Sequence, residues 1–280
     1  MVFAPVGIRC LDHASQGSSP AKPAARRRAR AVRAGFWNQD GVITRILIGL
    51  NVAVFLVNLL QGASLTRNSG ALFNSWALVA RGVVTPEGDL VGLPKNVGDV
   101  PFDVVGVAEG EWWRLITAAF LHGSVLHIAL NMVFLWFIGT PLEMAIGRWR
   151  FLAIYLVTAL AGSAGALVFN PEAPTVGASG AIYGLLGAAV VFERQGINVL
   201  GGSALGIAIL NFALTLTVSG VSLGGHLGGF IGGIVCGLAV TRFGRGHAAY
   251  GRVGLIGTAT IAAVGIASVL VAYLQVRDFT

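Results

Sequence analysis

Charge is scarce in this 280-residue chain. Asp and Glu together number 12 and 11% of residues are charged, against 55% hydrophobic. A soluble domain carries about twice that charged fraction, so a water-soluble globular protein is excluded. Cysteine is nearly missing. Cys10 stands in a polar tail and Cys236 in an apolar run, so no disulfide framework follows. The Cys10–His13 stretch "CLDH" has metal-like spacing but no second ligand pair, and no H-E-x-x-H occurs. No metal and no cofactor is therefore expected. The first residues lack an apolar core ahead of a small-residue cleavage site, so no removable signal peptide is expected either.

Long apolar runs are what the chain has. Seven lie near 42–60, 124–140, 151–169, 177–193, 198–218, 223–242 and 253–274, and several reach the roughly 18 residues that span a bilayer. They should be helices, because an isolated strand leaves its backbone unsatisfied in lipid. The expected fold class is an all-α polytopic membrane protein. The 40 glycines suit close helix approach in lipid.

Residues 1–40, rich in Ala, Arg, Ser and Pro, read as a flexible basic tail. The net charge of +7 gathers there, at Lys22, Arg26, Arg27, Arg28, Arg30 and Arg33. That location favours a cytoplasmic flank and an anionic-lipid contact over a nucleic-acid partner. With the tail inside, 14 of the 19 basic residues fall on the cytoplasmic side. The expected orientation is N-terminus cytoplasmic and C-terminus outside. Segment 61–123 is then an outer loop. Its apolar patches suggest that it lies partly in the interface, with Trp112 and Trp113 at headgroup depth, a plain surface loop being the alternative. Arginine outnumbers lysine 17 to 2, which hints at a GC-rich bacterial genome and a plasma membrane.

No Asp or Glu falls deep inside an expected span. That removes intramembrane aspartyl chemistry and weakens proton-coupled transport. A small polar set remains. His122, His127 and Asn131 lie at the start of the second run, Ser179 at the start of the fourth, and His226 at the start of the sixth. All three runs begin on the outer side, so these groups share one depth. Singly, each has a plainer reading: Ser179 as helix packing, His226 as an interfacial histidine, His127 and Asn131 as interhelical hydrogen bonds. Their shared depth argues against all the plain readings at once. Gly225, Gly229, Gly233 and Gly237 recur every four residues, as do Gly180 and Gly184. Such faces bring helices closer than the usual axis spacing of about 8–10 Å. A serine oxygen could then come within the roughly 2.6–3.2 Å of an imidazole that base activation needs.

The motifs "GASG" at Gly177–Gly180 with Tyr183 after it, "HIALN" at His127–Asn131 and "HLGGFIGG" at His226–Gly233 resemble those of the rhomboid intramembrane serine proteases. "EWWR" at Glu111–Arg114 and "GTPLEMAIG" at Gly139–Gly147 are similar to further family segments. The resemblance implies a six-helix rhomboid catalytic core over 41–245, plus a peripheral seventh transmembrane helix at 253–274. It implies a Ser-His dyad, with Ser179 as nucleophile and His226 as base. Tyr183 would pack on the His226 ring, and Gly177 would precede the nucleophile in its motif. His127 and Asn131 would be oxyanion donors, and His122 a supporting residue. The implied activity is endopeptidase cleavage of transmembrane substrates near the outer membrane face. The implied partners are those substrates and the lipid bilayer. A non-catalytic rhomboid-like membrane-protein binder or chaperone is the alternative. A small-solute transporter lacks support, since neither an internal repeat nor paired broken helices is found.

Overall fold

The computed structural model describes residues 2–4, 7–9, 40–66, 68–98, 100–218, 220–242 and 254–279. Most of the expected tail, and the 243–252 loop with its basic residues, lie outside the described residues. Val2–Ala4 (β1) and Gly7–Arg9 (β2) pair antiparallel within a separate unit, Met1–Gln39. Everything below concerns the second unit, Asp40–Thr280.

Gly41, at φ 67°, turns the chain into α1 (Val42–Leu60), which has no side-chain cap of its own. The cap comes from far along the chain. The Glu143 carboxylate accepts the N–H of Ile43 at 2.9 Å, and both the N–H and the hydroxyl of Thr44 at 2.8 Å. A carboxylate at a helix start is favoured by unpaired N–H groups and the helix dipole, which is why this buried acid is tolerated.

The segment expected as an interfacial loop is a small folded layer. It holds α2 (Ala71–Trp76) and a sheet in which β3 (Gly82–Val84) runs antiparallel between β4 (Leu90–Gly92) and β5 (Val104–Val105). The fold is mostly helical, but this sheet departs from the all-α expectation. Its valines favour strand, and "TPEGD" at Thr85–Asp89 closes the hairpin with Gly88 at φ 87°. The apolar stretch after α2 faces a core rather than lipid, since Ala77, Leu78, Val79 and Ala80 are buried. Arg114 staples this layer together. It opens α3 (Arg114–Thr117) and is fully buried. Its Nε and Nη2 each stand 2.7 Å from Glu111 Oε2, and its Nη1 donates to the Ala77 carbonyl at 2.7 Å.

Long helices follow. α4 (Val125–Ile146) contains a widened turn over Leu135–Gly139. Pro141 has no N–H to donate to the preceding turn, and a local π-turn lets the helix pass it. The span therefore runs six residues beyond the expected 140. Glu143, beyond the expected run, is thus in the last turn of the longer helix and buried. Gly147 (φ 83°) separates α4 from α5 (Arg148–Phe169). Then come α6 (Ser179–Arg194), α7 (Ala204–Thr217), α8 (Leu223–Arg242) and α9 (Leu255–Val276).

Each of the seven expected runs is thus a helix; α1 and α8 keep the expected ends and the other five are shifted. Five are long and apolar enough to cross a membrane: α1, α4, α5, α8 and α9. α6 has 16 residues and α7 has 14, about 24 and 21 Å at 1.5 Å per residue. For α6 the shortness has a physical reason. Ala181 to Phe192 are all buried in protein, so the loop leading into it meets other chain segments rather than lipid.

α6, α5 and α8 meet along glycine. A Cβ on Gly229 would overlap the Gly180 carbonyl, and one on Gly233 the Gly184 carbonyl; Gly228 and Gly165 are similarly closed by α5 and α8 backbone. Gly233→Ala should therefore lower stability by about 3 kcal/mol, the upper end for overpacked cores. Gly49→Ala, with nothing within 4 Å of its Cβ, should leave it unchanged or raised. Thermal melting of both purified variants checks the contrast.

The end of α9 is not peripheral. Phe279 is 1% exposed and belongs to one apolar cluster with Leu78, Ala80, Val107, Leu115 and Ala118 from the outer layer and Leu167 from α5. Lys95 stands 3.7 Å from Asp278 and lies over the Phe279 ring, 5.3 Å from its centroid. The C-terminal end of α9 is therefore on the same side as segment 61–123.

Candidate functional site

The site is assembled from the starts of α4, α6 and α8. α4 starts with Ser124, whose hydroxyl accepts the N–H of His127 at 3.2 Å. His127 is half-buried on the first turn. One turn on, Asn131 is buried, and its Nδ2 donates to the His127 carbonyl at 3.0 Å. One amide N–H of Asn131 is used there, leaving the second for another acceptor. His122 is 2% exposed, set edge-on to His127 with centroids 5.0 Å apart. Among the described residues neither of its ring nitrogens makes a well-formed hydrogen bond. Burial, with the His127 ring beside it, pushes the His122 imidazole down to about 3, so it is neutral.

The segment before α6 is held by the outer layer. Leu78 and Thr175 exchange backbone hydrogen bonds of 3.0 and 2.8 Å, Ala80 N–H donates to Pro171 at 2.9 Å, and Gly177 N–H donates to Ala118 at 2.9 Å. Gly177 has φ 124°, a conformation side chains avoid. A Cβ there would stand 2.7 Å from His127 Nε2 and 3.7 Å from Ser179 Oγ. The glycine is thus required both by its backbone and by the histidine pressed against it, and it marks how near that histidine comes to the serine.

Ser179 is the first residue of α6 and half-buried. Ile182 N–H takes the Ala178 carbonyl at 3.0 Å. The preceding N–H groups of Ser179, Gly180 and Ala181 have no intrahelical acceptor, as at any helix start. They and the helix dipole make this end suited to negative charge. Tyr183 lies one turn on, on the same face.

His226 is buried in the first turn of α8, its N–H on the Ser222 carbonyl at 3.1 Å. Its ring lies flat on Tyr183, with centroids 3.9 Å apart and planes 13° from parallel. Nδ1 is 2.8 Å from Thr215 Oγ1, which is also 2.7 Å from the Tyr183 hydroxyl. The starts of α6 and α8 touch directly, Gly225 O being 3.4 Å from the Cβ position of Gly180. Ser179 and His226 therefore lie at the same end of adjoining helices. Among the described residues no hydrogen bond joins Ser179 Oγ to His226.

Thr215 was missed by sequence reasoning. A threonine in an apolar helix usually back-bonds to the preceding turn, and Thr215 does so, to Asn211 at 2.9 Å. Its further bonds reach α6 and α8, which no local pattern announces. The extended stretch Leu78–Ala80, bridged to Thr175 through Leu78, lies in a segment expected at the membrane interface and is not distinguished by its sequence.

A family model described as "Rhomboid domain" matches residues 109–243. Among curated relatives, Rhomboid protease GluP of Bacillus subtilis is 40% identical over 124 residues, covering 43% of this chain and 24% of that protein. RHOMBOID-like protein 4 of Arabidopsis thaliana is 35% identical over 142 residues, 49% of this chain and 35% of that protein. RHOMBOID-like protein 5 of the same plant is 46% identical over 84 residues, 29% of this chain and 27% of that protein. The chain thus spans only a part of each of these relatives, and the matched domain contains Ser179, His226 and their neighbours but not α9.

Proposed function

The chain belongs to the rhomboid family and is a multi-pass integral membrane protein; on that premise we propose that it is an intramembrane serine endopeptidase acting through Ser179 and His226. The substrates are transmembrane segments, cut near the outer membrane face. The carrying observation is the His226 ring, stacked on Tyr183 and tied through Nδ1 to Thr215, at the end of α8 that adjoins the start of α6. Its Nε2 is the nitrogen left to take a proton from Ser179. The oxyanion formed on attack would be met by the Ser179 backbone N–H, with His127 and Asn131 completing the hole.

Six helices, α1 and α4 to α8, form the core in this reading, with α9 as a seventh span. The basic tail faces the cytoplasm of a bacterial cell. The 61–123 layer and the end of α9 face outward, a pairing supported by the Lys95–Asp278 contact.

A fluorophosphonate or isocoumarin should inactivate the purified protein and leave its adduct on Ser179, located by mass spectrometry. Chelators and pepstatin-type compounds should leave activity intact. An adduct on another serine, or sensitivity to chelation, would refute the assignment. A protein inert to these reagents that still captures transmembrane partners would be a non-catalytic binder.

A further inference from the structure

The hydrogen bonds around Thr215 can be satisfied in one way. A hydroxyl has one hydrogen to give and two lone pairs to receive. Thr215 Oγ1 has three partners: the Asn211 carbonyl at 2.9 Å, the Tyr183 hydroxyl at 2.7 Å and His226 Nδ1 at 2.8 Å. A carbonyl only accepts, so the Thr215 hydrogen points at Asn211. Both remaining partners must then donate, Tyr183 through its O–H and His226 through Nδ1–H. A neutral imidazole carries one N–H, so Nε2 is left with its lone pair. The bonds to Tyr183 and His226 are buried and that to Asn211 part-buried, so an unpaired group here is costly.

We infer that Thr215 is the positioning residue that fixes the tautomer and rotation of His226, where a soluble triad would use a carboxylate. This rests on the reading of His226 as the base. The Tyr183 stack sets the plane of the ring, but a stacked ring can still turn within that plane. The Thr215 bond removes that freedom. In the acylation step the Ser179 Oγ–H bond breaks as oxygen attacks the carbonyl carbon, and the proton passes to Nε2. The imidazolium so formed keeps Nδ1–H on Thr215. Nε2 then returns the proton to the leaving amine as the C–N bond breaks. A neutral hydroxyl supports the cation less than a carboxylate would. It also avoids burying an anion at membrane depth while the site is idle.

The test has two readouts on the full-length protein in detergent. Nitrogen-15 NMR of labelled histidine, assigned by difference from His226→Gln, reports which ring nitrogen carries the proton. Steady-state cleavage of a transmembrane reporter reports kcat and KM separately. Wild type should show Nδ1–H. Thr215→Val, which keeps the shape and loses the hydroxyl, should lose that preference. A wrong tautomer costs roughly 10⁴-fold in a soluble triad. A ring free to populate both forms should lose about tenfold or more in kcat, with KM within about twofold. Thr215→Ser should restore both readouts. If Thr215→Val does not fold, Thr215→Cys carries the same measurements with a weaker hydrogen-bonding group.

A wild-type tautomer and rate in Thr215→Val would overturn the inference. So would a Thr215→Ser protein as impaired as Thr215→Val, which would assign the effect to the methyl group. Wild-type protein that shows Nδ1–H but cleaves nothing would instead defeat the protease reading, while loss of that tautomer in Thr215→Val would still support the Thr215 assignment.

Discussion

Ser179→Ala and His226→Ala should each reduce reporter cleavage to background, and the double variant should be no slower than either. The first removes the proposed nucleophile and the second the proposed base, and groups that act as a unit are lost as a unit. In a soluble serine hydrolase either loss costs about 10⁶-fold, which would put the reaction below detection. The two proteins should differ in stability. The Ser179 hydroxyl has no hydrogen-bond partner among the described residues, so alanine leaves nothing unsatisfied and the melting midpoint should stay close to wild type. His226→Ala empties the space against Tyr183 and takes a partner from Thr215. A loss of about 1–3 kcal/mol is expected there. Cleavage at full rate by His226→Ala, with Ser179 intact, would sink the dyad.

The second large effect is at the oxyanion. His127→Ala and Asn131→Ala keep the nucleophile and base and remove one donor each. A lost donor costs about 2.7–4 kcal/mol of barrier in soluble enzymes, or 10²–10³-fold in turnover. The structure adds an asymmetry. Asn131 also donates to the His127 carbonyl, so its removal frees the histidine's turn of helix. His127 presses on Gly177, so its removal leaves room beside the segment that carries Ser179. Both variants should therefore lower kcat, and the His127 variant should in addition change the rate at which a fluorophosphonate labels Ser179 by more than loss of the Asn131 donor does. Equal labelling rates in wild type and His127→Ala would remove that distinction. Normal turnover with either variant would return both residues to the role of interhelical hydrogen bonding.

The seven helices were legible because length and hydropathy suffice for them. Their ends were less so, for local reasons. Pro141 reads as a stop, yet the widened turn before it carries α4 on to Ile146. Gly177 reads as part of a helix, yet its φ of 124° keeps it in the loop and starts α6 at Ser179. The outer layer was misread because valines that cover a core look, in a linear chain, like valines that meet lipid. Its hairpin turn at Thr85–Asp89 was there to be found. Ser179, His226, His127 and Asn131 stood out because polar groups are costly at membrane depth and these shared one level. Thr215 did not, because its cost is met by a bond within its own helix, and only the tertiary structure reveals the other two.

The burial of Phe279 also sets an order of assembly. Its cluster joins Leu78 and Ala80 to residues made some two hundred positions later. During synthesis from the N-terminus, the extended stretch Leu78–Ala80 emerges long before the ring that completes its core. Until then its backbone can pair with Thr175 and Pro171 only over an open apolar gap. Contacts so distant in sequence form slowly, since loop closure must precede their reward. The segment that carries Ser179 should therefore reach its final rigidity only after residue 279 has been made, and a ribosome stalled between residues 227 and 278 would hold a chain with every proposed catalytic side chain present and their scaffold unfinished.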